Sequence, residues 1–275
     1  MKEATITRLC RLSGWTRQAY YQGHRPRQRK AVQEERVIEF VRQERAQQPR
    51  LGTRKLHVLL KAYTQSEGPR IGRDRLFEVL RRHDLLVRRK KKSVRTTYYD
   101  QSLPVYRNLL YEREATAAHQ VWVSDITYIE TDEGNLYLSL VTDLSSRKIV
   151  GWNVADNLTA TESVKALQKA IAQLPEGRWP IHHSDRGSQY CCHEYVTVLK
   201  QRGLSVSMTE ENHCYENCYA ERVNGILKDE YNVDYCFRTK AHARLVIEQS
   251  IHLYNHRRPH TSLQMLTPAA AHNTN

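Results

Sequence analysis

The sequence predicts a mixed α/β domain that follows an all-helical, strongly basic N-terminal region. Two observations predict this arrangement: the hydrophobic spacing changes from helical to strand-like near residue 120, and the positive charge is concentrated before that point. The chain has 275 residues, with 43 Lys and Arg against 30 Asp and Glu, a net charge of +13. Residues 1–110 carry 27 basic and 10 acidic side chains, whereas residues 111–275 carry 16 and 20. A surplus of this size in one half indicates a polyanionic partner for that half.

Length and composition exclude several classes of protein. A chain of this length with 40% hydrophobic residues is expected to form two or three globular units. No apolar run approaches the roughly 20 residues of a membrane span, and the N-terminus lacks the apolar segment of a signal peptide, so we expect a soluble, non-exported protein. The six cysteines lack the repeated CxxC spacing of a zinc finger, which favours free thiols in a reducing cytoplasm. The alternative is a zinc site drawn from His213, Cys214 and Cys218 with Cys191, Cys192 and His193.

Residues 1–30 are interpreted as a helix-turn-helix followed by a basic linker. A short helical pattern from Ala4 ends at Ser13-Gly14, and a second begins near Trp15 or Thr16. The stretch HRPRQRK at 24–30 is basic and contains a proline, which predicts a break between modules.

Residues 31–95 are predicted to form a second helical, DNA-binding module. Three segments, 33–47, 53–63 and 73–86, have apolar residues at helical spacing. The third segment and the run that follows it supply the predicted DNA contacts, and the alternative is a solvated basic face. These predicted contacts are Arg73, Arg75, Arg81, Arg82, Arg88, Arg89, Lys90, Lys91 and Lys92. Residues 96–118 are interpreted as a connector.

Residues 119–275 change to a strand pattern and are predicted to form the α/β domain. Three β-branched or aromatic runs separated by short turns predict an antiparallel meander. Helices and two shorter strands follow in alternation, which predicts a five-stranded mixed sheet with flanking helices. The predicted strands are 121–129, 136–144, 148–155, 180–185 and 204–208, and the predicted helices are 161–174, 189–203 and 217–231.

Three acidic residues stand out in this domain. Asp125 lies in the middle of a predicted strand, where a carboxylate is disfavoured, and Asp185 closes a short strand at the edge where α/β sites are usually built. Glu221 shares one helical stripe with Asn217, Asn224 and Lys228, opposite the apolar stripe. An all-oxygen set of ligands fits Mg²⁺ or Mn²⁺ better than zinc. Two such ions could promote attack on a phosphodiester without a protein nucleophile.

Four segments carry a family resemblance: WVSDITY around Asp125, HSDRGSQY around Asp185, NCYAERVNGILKDE around Glu221, and YNHRRPHTSLQMLTPA at 254–269. With them the chain resembles the bacterial insertion-sequence transposases encoded by a second reading frame. These belong to the integrase-core superfamily, which includes retroviral integrase and has an RNase H-like fold. The 35 residues between Asp185 and Glu221 match the spacing typical of that family.

The resemblance implies a function and roles for individual residues. Asp125, Asp185 and Glu221 would be the metal-binding catalytic triad, holding Mg²⁺ or Mn²⁺ as two ions, and Lys228 would contact the DNA of the element's ends. For Arg257 and Arg258 an ordinary basic turn remains open, while the resemblance favours a segment that packs on the core near the DNA. Residues 44–88 resemble the family's helical DNA-binding segment. Two departures are NCYAER where many relatives have NAxAES, and Gln264 where many have Gly.

The leading hypothesis is therefore a DNA transposase that nicks the 3′ ends of its element and joins them to target DNA. Its partners would be the terminal inverted repeats, the target DNA and further copies of the chain, as a dimer or higher assembly on the bacterial nucleoid. An upstream-frame partner, or a fusion with it, is a further mode of action in such relatives. Two alternatives remain: a DNA-binding repressor or architectural protein with an inactive core, and a nuclease of the RNase H or resolvase type.

Overall fold

The computed structural model describes residues 6–64, 71–88, 105–111, 114–210 and 217–274, with the backbone alone at 22–30. It divides into two compact units. The first comprises the chain up to Val87 without Gln48–Arg50, and the second comprises Gln48–Arg50 with the chain from Arg88 onward. No helix of the described residues is long and apolar enough to cross a membrane.

The first unit is entirely helical over its described residues. Its helices are α1 (Ile6–Ser13), α2 (Arg17–Gln47), α3 (Thr53–Tyr63) and α4 (Arg73–Arg82). Apolar residues of the last three meet in one core that contains Val37, Val41, Leu56, Leu60, Leu76 and Leu80. The predicted starts of α3 and α4 are confirmed, each directly after a glycine with an extended backbone.

The predicted break at residues 24–30 is wrong. The backbone of α2 is one helix from Arg17 to Gln47. Pro26 lacks one backbone N–H and so removes one helical hydrogen bond, but the surrounding Gln, Arg, Ala and Glu residues favour a helix. The C-terminal half of α2 also buries Val37 and Val41 in the core. We infer that this propensity and packing outweigh the single lost bond.

The second unit contains the predicted five-stranded mixed sheet. The strands are β1 (Val121–Ile129), β2 (Leu136–Asp143), β3 (Ile149–Ala155), β4 (Ile181–Ser184) and β5 (Ser205–Met208). Their order across the sheet is β3-β2-β1-β4-β5. β1, β2 and β3 pair antiparallel, which confirms the meander, and β4 and β5 extend the sheet in parallel with β1. β1 is therefore the central strand.

Helices cover both faces of this sheet. They are α5 (Ala160–Ile171), α6 (Ser188–Cys191), α7 (His193–Gln201), α8 (Cys218–Tyr231), α9 (Lys240–His256) and α10 (Pro268–Thr274), with a 3₁₀ turn at Thr261–Leu263. The single helix predicted for 189–203 is two helices, because Cys192 has an extended backbone and its Sγ accepts a bond from the Tyr195 N–H at the start of α7.

Alternate residues of β2 enter two different cores. Leu138 and Leu140 pack with α8 and α9, whereas Val141 packs with α5 and α7. Gly151 on β3 permits close approach of α5, because an added Cβ would lie 2.2 Å from the backbone oxygen of Ala166. The sheet is thus a middle layer that fixes α8 against β1 and β2.

Candidate active site

The sheet register brings Asp125 and Asp185 to the same level. β1 and β4 run parallel with Ser124 opposite Ser184, and Asp185 is the first residue after β4. Asp125 therefore lies one strand away from the turn that carries Asp185. The Asp185 Oδ1 accepts a bond from the Gly187 N–H at 3.0 Å, which fixes this turn.

Two asparagines hold α8 against β1. The Asn217 amide donates to the Ser124 carbonyl oxygen at 3.1 Å, and the Asn224 amide donates to the Asp125 Oδ2 at 2.8 Å. Both asparagines are buried, and Glu221 lies between them in the first turn of α8. The helical stripe predicted from the sequence is thus the face that docks on β1, but the docking role of the two asparagines was not predicted.

The three carboxylates interact electrostatically. Burial, followed by the charge of Asp185 and more weakly that of Glu221, raises the pKa of Asp125 to about 7. Hydrogen bonds from Asn224 and from the Ile126 N–H offset part of this rise. Partial desolvation and then the charge of Asp185 raise the pKa of Glu221 as well. Strand β1, the turn after β4 and helix α8 therefore place three mutually repelling carboxylates within electrostatic range.

The ligand chemistry of these carboxylates fits a hard divalent cation. None of the groups that shift the pKa of Asp125 is a cation of the described part of the chain, so its negative charge is not neutralised from there. Oxygen ligands with excess negative charge suit Mg²⁺ or Mn²⁺. Among the described residues, no three His, Cys, Asp or Glu side chains already form a compact metal cluster. The alternative zinc ligands His213 and Cys214 lie outside the described residues.

The two histidines that precede Asp185 belong to the core. His182 is fully buried, and its Nε2 lies 2.8 Å from the Ser124 Oγ and 2.9 Å from the Tyr195 hydroxyl. Burial, followed by the neighbouring His183, lowers the pKa of His182 to about 3, so it is neutral at pH 7. The His183 Nδ1 lies 2.8 Å from the Ser207 Oγ on β5. These contacts stiffen the strands beneath the acids.

Tyr190 on α6 is a further polar group close to the acids. Its hydroxyl is buried and has no hydrogen-bond partner among the described residues. Burial raises its pKa well above the ordinary value, with further contributions from Tyr195, Asp125 and Asp185. Sequence reasoning missed this hydroxyl, although it lies in the HSDRGSQY motif five residues after Asp185.

Lys228 lies two turns after Glu221 on α8. Its ammonium group is 4.6 Å from the ring centroid of Tyr128, a cation–π contact with β1. Tyr128 is three residues after Asp125, so one strand holds both the acid and the support for the lysine.

The structure contradicts the predicted DNA contact of Arg258. Only 3% of this arginine is exposed, and its guanidinium makes two hydrogen bonds with Glu230, of 2.8 and 2.9 Å. A buried arginine paired through both of these nitrogens cannot reach a phosphate without breaking the pair. Arg257, in contrast, is exposed at the end of α9.

The neighbouring residues of this C-terminal segment also hold elements of the second unit together. The Tyr254 hydroxyl donates to the Arg147 carbonyl oxygen at 2.9 Å. The Asn255 side chain bonds both backbone groups of Ile149, at 3.0 and 2.9 Å. The YNHRRPH motif therefore fastens α9 to β3 and to the turn before it, and its arginine at position 258 fastens the chain to α8.

The remaining predicted DNA contacts belong to other parts of the chain. Arg73, Arg75, Arg81 and Arg82 are exposed on α4 of the first unit, and Arg88 is exposed after it. Arg89, Lys90, Lys91 and Lys92 lie outside the described residues.

The second unit is a central mixed sheet with one acid on the middle strand, one after the adjacent parallel strand and one on a helix that docks against them. This arrangement defines a polynucleotidyl transferase core of the RNase H-like class. Comparison with known proteins agrees: two models of the integrase core domain match residues 115–214 and 202–268. The chain is 36% identical over 266 residues to the insertion element IS600 uncharacterized 31 kDa protein of Shigella sonnei, covering 95% of this chain and 96% of that protein.

A second relative is the transposase InsF for insertion sequence IS3A of Escherichia coli (strain K12). It is 36% identical over 198 residues, which cover 71% of this chain and 69% of that one. The fold is also similar to a chain of the simian T-cell lymphotropic virus intasome, with a TM-score of 0.50 at 18% identity, covering 82% of this chain and 75% of that chain. The chain belongs to the insertion-sequence transposases, DNA transposases of the integrase-core superfamily.

Proposed function

We propose that Asp125, Asp185 and Glu221 together bind Mg²⁺ or Mn²⁺, two ions per site, and form the catalytic centre of DNA strand cleavage and joining. The observation that carries this proposal is the arrangement of the acids: Asp125 on β1 is level with Asp185 in the turn after β4, and the bond from Asn224 to Asp125 holds the helix of Glu221 against β1. The raised pKa of Asp125, to which Asp185 and Glu221 both contribute, agrees with this arrangement. A protein gains nothing in stability by holding repelling carboxylates together, so such a cluster is typical of a functional site.

Each residue has a distinct part in this proposal. When bound, divalent cations polarise the scissile phosphodiester and stabilise the leaving oxygen. Asn224 holds the Asp125 carboxylate in one orientation through its 2.8 Å hydrogen bond. Lys228 presents a cation two turns from Glu221, where it can bind a DNA phosphate.

The proposed reaction has two steps at one site. In the first, water forms a bond to the phosphorus at the end of the element, and the bond to the departing 3′ oxygen breaks, which leaves a free 3′-hydroxyl. In the second, this hydroxyl forms the new bond to a target phosphorus while a 3′ oxygen of the target leaves. Neither step requires a covalent protein nucleophile.

Strand cleavage and joining on DNA that carries the sequences flanking the gene would test this function. We expect strand cleavage and joining with Mg²⁺ or Mn²⁺. The variants Asp125→Asn, Asp185→Asn and Glu221→Gln should each reduce this activity by roughly 100-fold or more, as expected when a catalytic group is removed. Asp229→Asn is the matched control, because it removes an exposed carboxylate from the same helix as Glu221. Wild-type activity in all three site variants would overturn the assignment.

We also propose that the chain acts as a dimer or higher assembly on the bacterial nucleoid, with the terminal repeats and the target DNA as substrates. The reaction joins two ends to one target, which favours at least two active sites held together. Light scattering with and without end DNA would measure this assembly. The same measurement, repeated with the product of any reading frame directly upstream, tests whether that product is a partner.

A further inference from the structure

The four arginines of α4 lie on two different faces of the helix. At about 100° per residue, Arg75 and Arg82 are seven positions apart and share one face. Arg73 and Arg81 flank Phe77 at intervals of four residues, which forms a second ridge. A count of charge along the sequence does not separate these two sets.

The first face is engaged within the unit. Glu34 on α2 pairs with Arg82 at 3.0 Å and with Arg75 at 3.5 Å, and its Oε1 lies 3.1 Å from the His83 Nε2. Only 15% of the Glu34 side chain is exposed. Arg75 also pairs with Glu78 at 2.8 Å. One partly buried carboxylate therefore connects α2 to both the first and the last turn of α4.

The groove beside this face has no surplus of arginine over carboxylate. It is a cavity between α2 and α4, and its charged lining consists of Glu34, Glu35 and Glu39 with Arg42, Arg75, Arg82 and the neighbouring His83. Three carboxylates balance three arginines, and Glu34 already pairs with two of these arginines. A DNA backbone would have to displace Glu34 and approach its two acidic neighbours.

The second face has free or exchangeable positive charge. Within the described part of the chain, Arg81 is exposed and makes no ion pair. Among the residues that the structure describes, Arg73 pairs only with the adjacent Asp74, and both side chains are more than half exposed. Pairs of this kind are screened by water and salt and exchange readily for another anion.

We propose that the first unit binds the duplex DNA backbone through the ridge of Arg73, Phe77 and Arg81. Arg75 and Arg82, in contrast, are positioning residues that hold α4 to α2 through Glu34. This inference rests on the proposed DNA substrate and deepens it, since it assigns opposite roles to side chains of one helix that are adjacent in sequence. Arg81 and Arg82 show this contrast most clearly, because they are consecutive residues with opposite proposed roles.

The dependence of DNA affinity on salt separates these roles. Each lost phosphate contact lowers the slope of log K against log salt by about 0.9 for duplex DNA. The experiment uses the full chain in EDTA, so that no strand is cut, and a short fluorescent duplex of arbitrary sequence. We expect Arg81→Gln and Arg73→Gln each to lower the slope by about that amount without changing Tm. Arg82→Gln is expected to lower Tm and leave the slope unchanged.

A double-mutant cycle of Arg82→Gln and Glu34→Gln gives the second measurement. Non-additive effects on Tm would support the ion pair as an internal connection. An unchanged slope in Arg81→Gln would overturn the proposal, as would a slope in Arg82→Gln reduced as much as in Arg81→Gln. If Arg82→Gln is too unstable to measure, Arg81→Gln decides alone. Strand cleavage by the wild type is scored separately, so a failed proposed function would show as absent cleavage with the slopes still interpretable.

Discussion

Replacing Asp125 with asparagine is expected to stabilise the metal-free protein, and the gain should grow with pH. The folded protein holds this carboxyl in a half-buried, desolvated position near Asp185 and Glu221, which raises its pKa from 3.8 to about 7. The folded state therefore keeps the proton to higher pH than the unfolded state does. Stability from this group is fully present below about pH 4 and is lost as pH rises towards about pH 7. Asparagine carries no charge, and its oxygen can still accept the bond from Asn224.

The magnitude follows from the pKa shift. A rise of about three units at about 1.4 kcal/mol per unit gives an upper value of about 4 kcal/mol at pH 8. At about pH 5 most of the folded protein is already protonated at Asp125, and the same shift gives less than half of this value. The difference between the two pH values is the signature of the carboxylate, because a change in packing alone would be equal at both.

Urea unfolding in EDTA at about pH 5 and about pH 8 measures the effect. Glu176→Gln is the matched control, since it removes an exposed acid outside the site and should change neither value. Mg²⁺ at about 100 times its Kd should stabilise the wild type by about 2.7 kcal/mol and have a much smaller effect on Asp125→Asn. An asparagine variant that is no more stable than wild type at about pH 8, or equally shifted at both pH values, would refute the reasoning.

Four further single substitutions test the packing and the backbone conformation. In thermal unfolding, Gly151→Ala should lower stability by about 2 kcal/mol or more, because the new Cβ meets the α5 backbone. Gly225→Ala, which has open space around it, should instead raise stability by up to about 1 kcal/mol. Gln264→Gly should stabilise by about 0.5 to 1 kcal/mol, since Gln264 has a φ of +53°; an unchanged Tm would contradict this. Arg258→Met should cost about 3 kcal/mol by leaving Glu230 without its guanidinium, and adding Glu230→Gln should restore part of it.

The sheet could be predicted closely because its strands are marked by local pattern. The β-branched and aromatic run at 121–129 has the same bounds as β1, and the other strand bounds differ by at most two residues. The candidate acids were visible for a related reason. Asp125 interrupts an apolar strand and Asp185 ends one, and both are properties of a short window of sequence.

Contacts between residues distant in sequence could not be predicted. Glu34 and Arg82 are 48 positions apart, and Arg258 reaches back 28 positions to Glu230. A basic residue looks the same in a sequence whether it faces solvent or a buried carboxylate. The helix through Pro26 has the same origin, since the packing of its distal half decides whether one missing hydrogen bond is tolerated.

The departure at Gln264 shows what the structure adds to a resemblance. Many relatives have glycine at this place, and the sequence alone gives no reason for the difference. The chain enters the left-handed region at Gln264 and remains there at Met265, at the end of the 3₁₀ turn before α10. Glycine adopts this conformation at little cost, so the glycine that the resemblance leads one to expect would suit this backbone, and glutamine adopts it with some strain.

Charge has a different meaning in the two units, and local geometry decides it. In the first unit the surplus of arginine overstates what DNA can use, because Glu34 already binds two of the four arginines of α4. In the second unit the small negative balance understates the charge of the site, because Asp125 on β1 and Asp185 in the turn after β4 repel each other. The net charge of a unit therefore does not identify its partner, because the proposed DNA ridge on α4 and the proposed metal site beside β1 each depend on a few charges that the fold positions.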